Sequence, residues 1–109
     1  MNTSEATIIA VRNIINNYKY DSKFMEGIIN SFNIKDDAPF NMSGKLKFIK
    51  RMVEKLRKEE RLDKIEEDMY DKCVNEYYNY YIYTLKNNSR FSSILENNTE
   101  NVITLSKKY

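Results

Sequence analysis

Between Lys45 and Leu85 apolar residues recur at three- and four-residue steps, and no glycine or proline interrupts them. Such a run folds as helix and as little else. In its first half Leu46, Ile49, Met52, Val53 and Leu56 line one side, while Lys45, Lys47, Lys50, Arg51, Lys55, Arg57 and Lys58 fill the positions between. In its second half Leu62, Ile65, Met69, Cys73, Tyr77, Tyr81 and Leu85 form a four-step row, widened by Tyr70, Val74 and Tyr78. A helix apolar over so wide an arc needs neighbours on more than one face. The stripe shifts phase between Leu56 and Leu62, which argues for two helices, from about Lys45 to Glu60 and from Leu62 or Asp63 to about Asn87. One long bent helix is the alternative, since no breaker separates them.

The rest of the chain supplies those neighbours. Its 109 residues suffice for one domain with a modest core, and two glycines and one proline suit helices better than turn-rich sheets. The expected fold is all-α, a compact bundle of four to five helices with an N-terminal helical hairpin in residues 1–33. Asn2 and Glu5 are spaced as a capping box for a first helix to about Lys19, its core face Ile8, Val11, Ile14, Ile15 and Tyr18, with Arg12 outward. Asp21 or Ser22 caps a second, which buries Phe24, Met25, Ile28, Ile29 and Phe32. Gly27 within it suggests close approach of a neighbour. Periodicity stops over residues 34–44, a loop pinned by Ile34, Phe40 and Met42, and Ser43 is spaced to cap the third helix. Asn87 as a left-handed cap and Ser89 end the fourth. A short fifth helix, Arg90 to Glu96, closes the main body of residues 45–98, and Asn97 and Asn98 lead into a tail over 99–109.

Function is less legible. A formal charge of +2 is far from that of a dedicated nucleic-acid coat. The excess is local: Lys45 to Arg61 holds eight Lys or Arg against three Glu. Lys45, Lys47, Lys50, Arg51, Lys55 and Lys58 are therefore candidate phosphate contacts, although Glu54 with Lys58 and Lys55 with Glu59 are spaced to pair within the helix. The acidic stretch after Leu62 matches no calcium loop and has no histidine beside it, so it reads as a solvated face. Cys73 reads as a small buried hydrophobe. Tyr77, Tyr78, Tyr80, Tyr81 and Tyr83 fall within seven positions, and at about 100° per residue they cannot all face one core. They form the candidate protein-binding surface. Without histidine, a phosphate loop or a nucleophile motif, no catalytic residue, cofactor or metal is expected, and the chain is not read as an enzyme. A single cysteine and the absence of a leader pattern or a long apolar run place it inside the cell, in cytoplasm or nucleus, and off the membrane.

A further ordering carries information. The basic helix from Lys45 to Lys58 is followed by Ile65-Glu66-Glu67 leading into Tyr70, then by Thr84-Leu85-Lys86-Asn87 with Asn88, and then by Phe91, Ile94 and Leu95, with Val102 to Ser106 standing for a short end helix. Over residues 45–105 this resembles the central helical domain of transcription elongation factor TFIIS, with its Ile-Glu-Glu helix start and Asn-Leu-Lys-Asp segment. The resemblance implies docking on RNA polymerase. Two departures limit it: Tyr78 to Tyr83 stand where that family is Arg-rich, and one cysteine cannot build its zinc ribbon. The expected role is thus an interaction module for a protein partner. The alternatives are a nucleic-acid-binding regulator using the basic helix, or a structural homo-oligomer that buries its tyrosines against a copy of itself.

Overall fold

The computed structural model describes residues 3–32 and 40–108, and within them every element is helical: α1 (Thr3–Tyr18), α2 (Ser22–Phe32), α3 (Phe40–Arg57), α4 (Lys64–Lys86) and α5 (Phe91–Lys108). The all-α bundle is as expected. The proposed Asn2 cap and the pinning role of Ile34 lie outside the described residues.

α1 and α2 are joined by a tight turn in which the Asp21 N–H donates to the Tyr18 carbonyl, and the Asp21 carboxylate caps α2 by accepting from the Phe24 N–H at 2.9 Å. The hairpin is one of connection more than of packing. α1 lies against α5 and α4, whereas α2 lies against α3 and α5. Gly27 is where α2 and α5 come closest: a Cβ there would lie 2.7 Å from a Leu105 methyl.

α3 begins five residues earlier than the turn-forming residues Asn41, Ser43 and Gly44 suggest. Met42 is the reason. It is buried and extends the ladder of Leu46, Ile49, Val53 and Leu56 by one turn, so burial outweighs the roughly 1 kcal/mol cost of a helical glycine. Ser43 therefore lies inside the helix and is not its cap.

α3 and α4 are separate helices. Glu59 takes φ of 60°, its N–H donates to the Leu56 carbonyl, and the Glu60 N–H reaches back to the Lys55 carbonyl. This is a Schellman ending with glutamate where glycine is usual. A left-handed L-residue costs about 1–2 kcal/mol, so Glu59→Gly is expected to raise stability by about 0.5–1 kcal/mol in urea denaturation, with the fold unchanged. No change, or a loss, would mean that Glu59 makes a compensating contact. Leu62 is buried beyond the turn, and Asp63 caps α4 in a reciprocal box with Glu66, whose N–H donates to Asp63 at 2.8 Å while its carboxylate accepts from the Asp63 N–H at 3.1 Å.

Two expectations about the C-terminal third are corrected. Asn87 ends α4 in the right-handed region, and Asn88, not Ser89, organises the turn by accepting from the Arg90 N–H at 2.8 Å. α5 then runs unbroken through Asn97 and Asn98 for 18 residues, so there is neither a short helix nor a tail. Local preference is overridden by packing: Leu95 and Val102 are buried, Leu105 covers Gly27, and the Asn98 amide donates to the Tyr81 hydroxyl.

Candidate functional site

The four-step row of α4 does not stay on one side. Successive residues turn by about 100°, so a step of four drifts by about 40°, and a row from Ile65 to Leu85 winds more than halfway round the helix. The core takes Tyr70, Cys73, Val74, Tyr77, Tyr78, Tyr81, Ile82 and Leu85. Ile65 and Met69 are left outside, 76% and 49% exposed.

The same rotation divides the tyrosines. Tyr77, Tyr78 and Tyr81 are in the core, which corrects their reading as an accessible contact surface. Phe32 stacks on Tyr81 with ring centroids 4.1 Å apart and also meets Tyr77 and Tyr78. Their hydroxyls serve the backbone where they can. Tyr78 donates to the Ile8 carbonyl at 2.7 Å, and Tyr70 donates to the Lys19 carbonyl beyond the end of α1 at 2.5 Å. Burial raises the phenol pKa of Tyr70, Tyr77 and Tyr78 above its ordinary value, so all three stay neutral. The Tyr77 hydroxyl is buried with no hydrogen-bond partner among the described residues. Tyr77→Phe is therefore expected to stabilise the protein by about 1 kcal/mol, and Tyr78→Phe to destabilise it by about 1–2 kcal/mol, in parallel denaturant titrations. Equal effects would contradict this division of labour.

Tyr80 is half-buried and Tyr83 is exposed, their rings 6.5 Å apart. Both share the outward face of α4 with Ile65 and Met69. At 1.5 Å per residue this strip runs about 27 Å along the helix.

The basic face of α3 also divides. Lys45 pairs with Glu76, and Lys55 with Glu66 at 2.8 Å, so two of the six candidate phosphate contacts are turned onto α4. These pairs hold both carboxyls below their ordinary pKa, through the lysine hydrogen bond first in each case. Lys55 thus binds across the interhelix gap and not to Glu59, because Glu59 has left the helix. Glu54 takes Arg57 in a short bidentate contact, with Lys58 more distant at 3.9 Å. Lys47, Lys50, Arg51 and Lys58 remain exposed. Arg12, expected outward, reaches across to Asn79 at 2.8 Å and lies over the Tyr78 ring.

Beside the strip, α3 and α4 part to leave an open groove of about 560 Å³. Its floor is Phe48, Met69 and Cys73, and its rim carries Lys47, Arg51 and Lys72. The Arg51 guanidinium lies 5.2 Å from the centre of the Phe48 ring. Burial raises the Cys73 thiol pKa, so the sulfur is a protonated, apolar part of the floor. Glu76, the groove's carboxylate, is already held by Lys45. Sequence reasoning missed this feature. Its components lie about 25 residues apart in the chain, and only the antiparallel pairing of α3 with α4 brings them together.

Among the described residues no three His, Cys, Asp or Glu side chains converge to hold a metal ion, and no helix is long and apolar enough to cross a membrane. No protein-family model, curated protein or solved structure matches the chain.

Proposed function

We propose that this chain is a non-enzymatic interaction module that docks on a protein partner through the outward face of α4 and its groove with α3. The observation that carries this is the strip Ile65, Met69, Tyr80 and Tyr83. Three of its members are large apolar or aromatic side chains left largely in water by a helix that otherwise fills the core. Contiguous exposed apolar surface of this kind is characteristic of protein contacts. The chain has no histidine, and the one thiol in the groove is kept protonated, which suits binding better than catalysis. The resemblance of residues 45–105 to the polymerase-docking domain of TFIIS covers the same two helices, and makes RNA polymerase the first partner to test.

The test is affinity capture from host lysate after nuclease treatment at two salt concentrations, comparing wild type, Met69→Gln/Tyr83→Ala, and Ile9→Gln on α1 as a control. A protein retained by wild type and the control but lost with the double variant supports docking through α4. Capture that disappears with nuclease, with a log–log salt slope of about −0.9 per phosphate contact, would instead assign the exposed Lys47, Lys50, Arg51 and Lys58 to nucleic acid. A dimer in light scattering that the double variant dissolves would make the partner a second copy.

A further inference from the structure

We infer, building on that docking reading, that the occupant of the α3–α4 groove is an acidic amphipathic helix of the partner protein. Lys47, Arg51 and Lys72 ring the groove, are exposed, and form no ion pair among the described residues. The carboxylate in the same wall, Glu76, is committed to Lys45. An arriving segment therefore meets net positive charge around an apolar floor of Phe48, Met69 and Cys73. Carboxylates flanking apolar anchors satisfy both features, and lysines in their place would leave six like charges facing one another. The strip's length of about 27 Å corresponds to a helix of roughly 18 residues. A second copy fits less well, because a two-fold contact would set the same cationic rim against itself. Nucleic acid fits less well too: the ring available for stacking is already covered by Arg51, and Glu67 and Asp68 on α4 face an incoming phosphate chain with like charge.

Three synthetic helical peptides of roughly 18 residues decide the matter: one with leucines at i, i+4 and i+7 among glutamates, a twin with lysine for glutamate, and a third with serine for leucine. Binding to the full chain is followed by calorimetry and by amide chemical shifts. The acidic amphipathic peptide is expected to shift residues around Phe48 and Met69, and Arg51→Glu/Lys72→Glu is expected to weaken it on the order of tenfold while admitting the lysine twin. Both replaced residues are exposed, so the variant's helicity by circular dichroism serves as the fold control. Equal binding of the lysine twin to wild type, equal binding of the serine peptide, shifts confined to other faces, or displacement by a single-stranded oligonucleotide would each overturn the inference. If the peptides fail while lysate capture still depends on Met69 and Tyr83, the acidic chemistry is wrong and the docking surface stands. If capture is also indifferent to Met69 and Tyr83, the docking reading falls with it.

Discussion

Replacing Tyr70 with alanine is expected to cost about 3–5 kcal/mol of folding stability, the largest effect of any single truncation in α4. Tyr70 is fully buried, packs beside Tyr20, and donates its hydroxyl to the Lys19 carbonyl just past the end of α1. Alanine removes the ring and leaves that carbonyl without its partner. Around this contact a second set of bonds ties the same two helices: Lys19 pairs with Asp71 at 3.1 Å, and the Tyr20 hydroxyl donates to Asp71 at 2.5 Å. Those groups are partly exposed and add little by themselves. Tyr70→Phe, which keeps the ring, is expected to cost only about 1–2 kcal/mol. Comparing the two in urea separates packing from hydrogen bonding, and a phenylalanine variant as unstable as alanine would show that the hydroxyl dominates.

The second large effect concerns α5. Ending the chain after Asn98 is expected to remove about 4 kcal/mol or more and to leave the remainder with a broad, poorly cooperative melt. Val102 is fully buried, and Leu105 lies over Gly27, so the deleted turns cover α2 as well as themselves. A chain that loses less than about 1 kcal/mol, with its melt still sharp, would show that these turns add little to the core.

That contrast indicates what was readable beforehand and what was not. The apolar ladders of α1, α2 and α4 announce themselves by spacing, and the Asp21 cap by residue type. The continuity of α5 does not, because Asn97 and Asn98 look like a turn until Tyr81 is known to bond Asn98 from 17 positions away. The left-handed Glu59 carries no glycine to mark it. The division of the tyrosines follows from helix rotation once the direction of the core is known, but the chain does not state that direction. For the same reason the outward strip and the groove were hidden. Periodicity shows that a residue is apolar and in phase, and only the neighbours decide whether its side of the helix is covered. Lys45 and Lys55 looked like free cations for the complementary reason, that their carboxylates belong to another helix.

The two ion pairs that join α3 to α4 have one more consequence. Lys45 with Glu76 and Lys55 with Glu66 are mirror positions about the same point in the turn, between Glu60 and Arg61. Residues added at that point leave both partnerships in step, because they lengthen the connection without rotating either helix. One residue added between Lys45 and Lys55 swings one lysine about 100° away from its glutamate and twists the groove's wall with it. The turn can therefore vary in length over evolutionary time, whereas insertions and deletions within the two helices are excluded.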